Sequence, residues 1–519
     1  MLAPVGSLTP ETREIPRWVR ILFPSVADLV FLILFWSLFA GALSGKPLAD
    51  GDVGWHIRNG EQILQTTSIP HSDPFSSSMS GQAWFGWEWL YDILLGAIHV
   101  RLGLNGVVWW TALVIAGIFS YLLKVLVRRG TKIPIALLIV LLAMSASTIH
   151  FFARPHIISW LFLLIFEVIL ERWDSNRSKS QLLYFLPLLM LVWVNMHGGF
   201  LFGIVLLACY WIGALIERFG TVDTFEQVRR QSQVRRLSLA LIATVAATFV
   251  NPYGYRLHLH VVRYLNNRFL MDQIDEFRSP DFHGVAQKCF LLLVLLTMFV
   301  LVRAGKSVRA SGFLVLMLAV AAGLYASRNI PLAAVLIAFE IGPPLSKSMS
   351  SLRSLELNRG TAGEFERSMN VHFWPALLVL STLIVCVTDG QLGAKPIVHA
   401  QFDPQRFPVK AAEWLTENGT QEPIFCPDYW GGYVIYRMWP HSKVVVDDRH
   451  DFYGEHFFRE YLALVRVQPG WDRVLDEWKV RNVLIRPDSS LATVLPGSGW
   501  QAVYRDETAV LFERATPKP

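Results

Sequence analysis

The chain has 519 residues, of which 53% are apolar, 17% charged and 13% aromatic. Soluble globular proteins contain about 25% charged residues, so this composition excludes an ordinary soluble protein and indicates a membrane protein with its apolar residues in long runs. The formal net charge of +6 gives no reason to expect a nucleic-acid partner, because most Lys and Arg residues lie between the apolar runs, where membrane topology accounts for them.

Eleven apolar segments are predicted to cross a membrane as helices. A bilayer core is about 30 Å thick and requires about 20 largely apolar helical residues; several of the segments are shorter than this. No small-residue cleavage site follows the first segment, so we expect an anchor and not a removable signal. Residues 1–389 are therefore predicted to form a mainly α, polytopic membrane helical bundle. The predicted spans are 25–44, 105–127, 133–150, 155–170, 182–196, 198–217, 237–252, 287–303, 310–327, 329–345 and 371–389.

The Lys and Arg residues predict the side of the membrane on which each loop lies, because cytoplasmic loops are enriched in them. If residues 84–102 do not cross, the segments on the side of the N-terminus contain 21 Lys and Arg residues, and the opposite segments contain nine. This difference places the N-terminus in the cytoplasm, in an inner or plasma membrane. Residues 45–104 then form a long first external loop, and residues 390–519 form a non-cytoplasmic domain.

The first external loop begins with LADGDVGWHIRNGEQ, which is polar although it directly follows an apolar span. Two helices are predicted in this loop, one beginning at Asp52 and one over residues 84–102. Each has a polar face and an apolar face, so the first is expected to lie along the membrane surface. The second is expected either to lie along the surface or to be re-entrant. The polar faces consist of Asp52, His56 and Asn59 in the first helix and of Glu88, Asp92 and His99 in the second.

Further ionisable and polar residues stand at the external ends of later spans. Charged groups at membrane depth are costly unless they face a cavity or a partner. Acidic groups from the first loop and cationic or imidazole groups from later loops are therefore expected to meet on one side. This asymmetry suits a reaction in which a base activates a hydroxyl and cations hold a phosphate. The residues at the later loop ends are His150, Arg154, His156, Asn195, His197, Asn251, Arg256 and Arg328.

Residues 390–519 contain few long apolar runs and alternate between helix-like and strand-like patterns, which predicts a small soluble α/β domain. Gly431–Gly432 is needed either for a close backbone approach or for a turn. The segment Asp447–Arg449 is expected to form a structural ion pair; alternatively it binds a glycan or covers the membrane site. The predicted elements are helices at 407–418 and 470–480, strands at 443–449 and 481–487, and a terminal pair of strands within 500–514.

The chain resembles the GT-C superfamily of membrane glycosyltransferases in its layout. One span is followed by an acidic residue directly outside it and by a long first loop with surface helices. This superfamily includes the protein O-mannosyltransferases and the lipid A aminoarabinose transferases. The stretch WEWLYDILLGAIHVRLGLNGVVWWTALVIAGIFSYLLKVLVRR is similar in layout to the family's helix–Gly–span–Arg segment. ARPHIISW occupies the place of the family's second external loop. The resemblance covers roughly residues 20–390 and is a divergent one.

The resemblance implies an enzyme that moves a sugar from a polyprenyl-phosphate-linked donor to a hydroxyl of a glycan, lipid or protein acceptor on the non-cytoplasmic face. The family's catalytic acid falls on Asp50 or Asp52, which would act as a general base or hold a divalent cation such as Mg²⁺ or Mn²⁺. The donor phosphate would be bound by Arg154, His197 and Arg328. The residues expected to bind the acceptor or to support the site are His56, Asp73, Glu88, His156 and Asn195.

Other interpretations of the same residues remain open. The chain would alternatively be a flippase or transporter of a lipid intermediate, or a non-catalytic scaffold with an external binding domain. A transporter places charged residues along a path through its spans, whereas the few charged residues inside these spans stand near the predicted cytoplasmic ends. Asp50 and Asp52 would otherwise be turn or helix-cap residues, and the same holds for Asp73.

Overall fold

The computed structural model describes residues 16–175, 180–220, 224–304, 308–349, 361–369, 371–393 and 395–514. The ends of the two predicted domains, 1–15 and 515–519, lie outside the described residues. The helices up to residue 389 are α1 (Arg17–Leu22), α2 (Val26–Phe39), α3 (Asp52–Thr66), α4 (Trp89–Arg128), α5 (Ile133–Ser147), α6 (His156–Ser175), α7 (Phe185–Trp193), α8 (Phe200–Phe219), α9 (Thr224–Ala247), α10 (Tyr255–Asn266), α11 (Arg268–Gln273), α12 (Val285–Ala304), α13 (Ala310–Tyr325), α14 (Ile330–Ser348), α15 (Thr361–Ser368) and α16 (Phe373–Val387).

Each predicted span overlaps one of these helices, namely α2, α4 to α9, α12 to α14 or α16. Five helical segments of the described chain are long and apolar enough to cross a membrane, and four shorter apolar helices accompany them. In the core, α4 packs against α2 and α3, while α14 packs against α5, α12 and α13. The mainly helical membrane fold is confirmed, and the number of eleven spans stays a prediction.

A bend within α4 separates the predicted surface helix from the span that follows it. At Gly103 the backbone has a φ of +59°, a conformation that glycine adopts far more readily than other residues. The part of α4 before the bend crosses α3 at very short range, because a Cβ on Gly60 would lie 1.8 Å from the Asp92 carbonyl oxygen. The two helices of the first loop are therefore fixed against each other.

The segment after residue 389 contains small sheets as well as helices. The main sheet has four strands in the order β3–β4–β6–β5; β3 and β4 are parallel and the other pairs antiparallel. All four residues of the central strand β4 are buried, as expected for a strand covered on both faces. The elements are β1 (Gln391–Leu392), β2 (Lys395–Pro396), α17 (Val409–Glu417), β3 (Ile424–Phe425), α18 (Asp428–Met438), α19 (His450–Val465), α20 (Trp471–Glu477), β4 (Asn482–Ile485), α21 (Ser490–Val494), β5 (Trp500–Arg505) and β6 (Val510–Arg514).

Most of the elements predicted after residue 389 are confirmed, namely α17, α20, β4 and the pair β5–β6. The strand predicted at 443–449 is wrong: Val444 makes only isolated bridges, one to Ser76 and one to Ile424. This segment is held between the first loop and β3, so it does not form a regular ladder. Helices α18 and α19 were not predicted.

The C-terminal segment packs directly onto the first loop, residues 45–104. Helix α18 lies against α3, and the Ser77 amide donates a hydrogen bond to the Val444 carbonyl at 2.8 Å. The Arg58 side chain reaches the Tyr436 carbonyl at 2.8 Å. A Cβ on Gly432 would lie 2.3 Å from the Gly51 carbonyl oxygen, which confirms the need for a close backbone approach. The first half of α3 is consequently buried between α4 and α18, unlike the surface helix that was predicted.

Candidate active site

The segments predicted to be external converge on one cavity of about 670 Å³. Its walls come from the first loop, from the loop ends near residues 150–156, 197–202 and 325–332, from α10 and α11, and from the C-terminal segment. Seven of the ten candidate residues line it: Asp50, Asp52, Glu88, Arg154, His156, His197 and Arg328.

Arg154 joins the two aspartates that begin the first loop. Its Nη1 atom lies 3.0 Å from Asp50 Oδ2, and its Nη2 atom lies 3.0 Å from Asp52 Oδ2. The second oxygen of Asp50 accepts the Asp52 amide hydrogen at 3.0 Å. Only Asp52 Oδ1 of these four carboxylate oxygens is buried without a hydrogen-bond partner among the described residues. Burial raises the pKa of Asp52 to about 7, although Arg154 opposes this shift.

The carboxyl group of Glu88 stands between two imidazoles. Its oxygens lie 3.8 Å from His56 Nε2 and 3.7 Å from His197 Nε2, which is too long for a hydrogen bond. The Gly199 amide donates to His197 Nδ1 at 3.0 Å, so neutral His197 carries its proton on Nε2, on the side of Glu88. Burial and the nearby Asp92 raise the pKa of Glu88 well above its usual range. The surroundings of Glu88 therefore favour its protonated form, which is able to donate a hydrogen bond into the cavity.

A second group of charges also lines the cavity. Arg328 Nη1 lies 3.4 Å from Glu276 Oε1, and its guanidinium stands 4.3 Å from the Phe277 ring centroid. Burial alone would raise the pKa of Glu276, but Arg328 and Arg154 hold it below its usual range. His156 Nε2 donates to the His150 carbonyl at 2.7 Å. The acidic stretch around Glu276 thus folds over the cavity.

Three candidate residues lie outside the cavity lining and have other partners. His56 is fully buried and binds Asp92 through Nδ1 at 2.6 Å. Asp73 accepts hydrogen bonds from two backbone amides and contacts Arg449 Nη2 at 2.8 Å. The Asn195 amide donates to the carbonyls of Leu191 and Val250 at 2.8 and 2.9 Å. Asp73 and Asn195 therefore connect segments of the fold.

The C-terminal segment contributes residues to the cavity that were not among the ten candidate residues. Arg449 forms the expected ion pair, because Nε and Nη2 each contact one oxygen of Asp447 at 2.7 Å. The signal in the sequence was the polar run DDRHD directly after the three apolar residues VVV. The residues from this segment that line the cavity include Asp428, Asp448, Arg449, His450 and Asp451.

The arrangement of Asp50 and Asp52 does not suit a cation held by these two residues alone. Arg154 and a backbone amide already occupy three of their four oxygens. A different set, Asp428, Asp448 and His450, offers one ligand atom each within 4.8 Å of one another. Among the described residues, this group has the donor types that divalent cations use.

Comparisons with known proteins identify the fold. No protein-family model matches the chain, and no curated protein does so. The Archaeoglobus fulgidus oligosaccharyltransferase in its apo form is 12% identical, with a TM-score of 0.55 over 88% of this chain and 68% of that chain. The same enzyme tethered to an acceptor peptide with the NVT sequon is also 12% identical, with a TM-score of 0.56 over 94% of this chain and 74% of that chain.

ArnT from Cupriavidus metallidurans bound to undecaprenyl phosphate is 15% identical, with a TM-score of 0.51 over 95% of this chain and 98% of that chain. The likeness thus extends through both the helical bundle and the C-terminal segment. At such identities it shows the fold and not the activity. The chain has the GT-C fold of membrane glycosyltransferases.

Proposed function

We propose that this protein is an integral-membrane glycosyltransferase that moves a sugar from a polyprenyl-phosphate-linked donor to a hydroxyl acceptor on the non-cytoplasmic face. The observation that carries the proposal is the meeting of Asp50 and Asp52 with Arg154, His197 and Arg328 in one cavity. The GT-C fold supports the same reaction class.

The donor class is supported by the cavity wall and by one of the similar structures. ArnT is a GT-C protein whose structure holds undecaprenyl phosphate. In the present cavity, apolar side chains including Leu201, Phe202 and Leu332 lie beside the charged residues. Such a surface suits a ligand with an apolar chain and a phosphate head. The acceptor is a hydroxyl group of a glycan, a lipid or a protein.

Asp52 is the residue best arranged to take the acceptor proton. Its Oδ1 atom is free of hydrogen bonds among the described residues, whereas both oxygens of Asp50 have partners. Asp52 is also the first residue of α3, where the positive end of the helix dipole favours a carboxylate. General-base assistance contributes about 10²–10⁴-fold in rate. Asp50 would position Arg154 and the start of α3.

The departing phosphate would be stabilised by Arg154, His197 and Arg328. Each terminal nitrogen of Arg154 carries a second N–H group beyond the one that faces an aspartate. His197 presents its Nε2 hydrogen, and Arg328 supplies a further positive charge. Donors fixed before the reaction, where negative charge develops, lower the barrier without reorganisation. Glu88, as a neutral acid, would hydrogen-bond the sugar or the acceptor, with His156 supporting this wall.

A transfer assay with purified protein tests the proposal. Radiolabelled polyprenyl-phosphate sugars are incubated with full-length protein in lipid nanodiscs, and transfer or hydrolysis of the sugar is followed. Asp52→Asn is expected to reduce the rate by about 10²-fold or more. Asp281→Asn, which changes an exposed acid of an external loop, is the matched control. A folded Asp52→Asn variant with full activity would contradict the role of Asp52.

A further inference from the structure

Asp428, Asp448 and His450 form a compact group of ligand atoms beside the proposed base. His450 Nε2 lies 3.0 Å from Asp428 Oδ2 and 3.2 Å from Asp448 Oδ1. Two ligands that stand at right angles around a cation, each at about 2.1 Å, are separated by about 3.0 Å. The observed spacing therefore matches that of neighbouring ligands of one ion.

Surrounding contacts hold these side chains in place. The Tyr461 hydroxyl donates to Asp428 Oδ1 at 2.8 Å, which leaves Oδ2 toward His450. The Phe458 ring packs edge-on to the imidazole of His450, with the centroids 4.5 Å apart. Such outer contacts orient the ligands in metal sites and are part of their construction.

An independent observation from the first loop points to a ligand at this position. Asp52 is 4% exposed, and its Oδ1 has no hydrogen-bond partner among the described residues. Helix α18, which carries Asp428, packs so closely on the start of α3 that a Cβ on Gly432 would lie 3.0 Å from the Asp52 Cα. Asp52 also interacts electrostatically with Asp448 and His450. A buried carboxylate oxygen without a partner is costly unless something binds it.

The charge balance of this end of the cavity agrees with a dication. Four carboxylates face the single cation Arg154, because His450 must be neutral to bind a metal; three negative charges are then left without compensation when all the acids are ionised. The residues in this balance are Asp50, Asp52, Asp428 and Asp448 on one side and Arg154 on the other.

We propose that Asp428, Asp448 and His450 bind a divalent cation of the Mn²⁺ type, with Asp52 Oδ1 on its open side. Carboxylates suit hard cations and imidazole suits transition metals, so Mn²⁺ accepts the mixed set. The binding site stands by itself; its use in catalysis rests on the proposed function. A cation at this position would lower the pKa of an acceptor hydroxyl bound to it, and Asp52 would receive the proton.

The alternative for these residues is an ion-pair triad, in which a protonated His450 replaces the cation. Burial alone would lower the pKa of His450, but Asp448 and Asp428 raise it to about 9. The two arrangements differ in what they bind, since the triad has no need of a metal. A direct binding measurement therefore separates them.

The test measures Mn²⁺ binding to full-length protein in nanodiscs by electron paramagnetic resonance. We expect one ion per chain, with spin-echo modulation from a histidine nitrogen. Asp448→Asn and Asp428→Asn are expected to weaken binding at least tenfold. Asp451→Asn is the matched control, because this acid lines the same cavity but is paired with His260 at 2.9 Å, and it is expected to change the affinity less than twofold.

Each outcome of this experiment decides the proposal. Lack of binding to the wild-type protein at millimolar Mn²⁺, or a bound ion without histidine modulation, supports the triad and overturns the cation site. The modulation requires no variant, so a misfolded variant does not obscure the result. Binding here without any sugar transfer would contradict the proposed function alone, whereas transfer that is unaffected by chelation would leave the ion without a catalytic role.

Discussion

The guanidinium of Arg154 lies 3.0 Å from the carboxylate of Asp52, so the residue proposed to bind the donor phosphate touches the residue proposed to activate the acceptor. Asp50 contacts the other terminal nitrogen of Arg154 at the same distance. The proposed donor and acceptor sites are thereby connected through one planar group. A change at Arg154 is expected to affect both aspartates.

Replacement of Arg154 is therefore expected to reduce both stability and transfer. Arg154→Gln leaves two neighbouring carboxylates unpaired, which costs about 1–3 kcal/mol of unfolding free energy. Thermal unfolding of the purified protein measures the loss. The triple variant with Asp50→Asn and Asp52→Asn is expected to recover most of the stability but not the activity. Equal stability of Arg154→Gln and the wild type would show that the bridge is unimportant.

Arg154→Lys provides a sharper test of geometry. A lysine ammonium is a point charge, whereas the guanidinium fork reaches two partners at once. We expect the lysine variant to retain much of the stability and to lose at least about tenfold in transfer rate, because one aspartate or the phosphate is left without its partner. The transfer assay, run beside a melting curve, separates the two effects. Full transfer by this variant would mean that only the charge is required.

The pKa of Glu88 predicts a dependence of stability on pH. Its raised pKa means that the folded protein keeps a proton that the unfolded chain releases above about pH 4.3. The contribution of Glu88 to the unfolding free energy is complete below that pH and is lost as the pH rises through the folded-state pKa. Glu88→Gln is expected to reduce the change of the unfolding free energy with pH. At pH 8 this variant is expected to melt at a higher temperature than the wild type.

The control for this experiment is Glu507→Gln, which changes an exposed glutamate. It is expected to follow the wild-type melting curve at every pH. The raised pKa of Glu88 would be contradicted if the difference in melting temperature between the wild type and Glu88→Gln were the same at pH 5 and pH 8.

The close contact between α18 and the first loop predicts an effect of one methyl group. Gly432→Ala places a Cβ 2.3 Å from the Gly51 carbonyl oxygen, so the backbone must move, at a cost of about 1–3 kcal/mol. Limited proteolysis and melting temperature are expected to show a loosened C-terminal segment. Gly497→Ala, which meets no atom within 4 Å, is expected to have no such effect. Identical behaviour of the two variants would refute the proposed packing.

The orientation in the membrane is open to a labelling test. Cysteine is introduced at Glu417 in the C-terminal segment and at Val228 in α9, both of which are exposed, after the native cysteines are replaced. An impermeant maleimide is expected to label position 417 in intact cells and position 228 only after permeabilisation. The reverse result would place the cavity on the cytoplasmic face and remove the non-cytoplasmic assignment.

Much of the fold followed from local patterns in the sequence. Long apolar runs predict helices such as α8 and α12, since a bilayer core demands length and hydrophobicity. The meeting of Asp52 with Arg154 and His197 followed from counting the spans between their loops, which places these loops on one side of the membrane. The unequal distribution of Lys and Arg residues between the two sides supported the same placement. The direct bridge from Arg154 to both aspartates could not be predicted, because counting spans assigns a loop to one side of the membrane but does not identify side-chain partners.

The residues that the C-terminal segment contributes to the site could not be predicted from the sequence, for a physical reason. Gly431 and Gly432 weaken any helix prediction, yet α18 needs Gly432 to approach the start of α3 and Gly431 to approach Asp447. Asp428 and His450 become neighbours only after β3 and the irregular segment around Val444 are in place. Contacts such as that between Arg58 and Tyr436, which are 378 residues apart in the chain, leave no periodic signal.

The packing of α18 onto α3 also has a consequence for biosynthesis. The wall that carries Asp428 and His450 is translated long after the anchor and the first loop have been inserted. A ribosome-bound chain that ends before this wall would expose the polar face of α3 and lack half of its charged pocket. Premature termination in the last quarter of the message should therefore yield a membrane-inserted but inert product, which quality-control proteases would recognise.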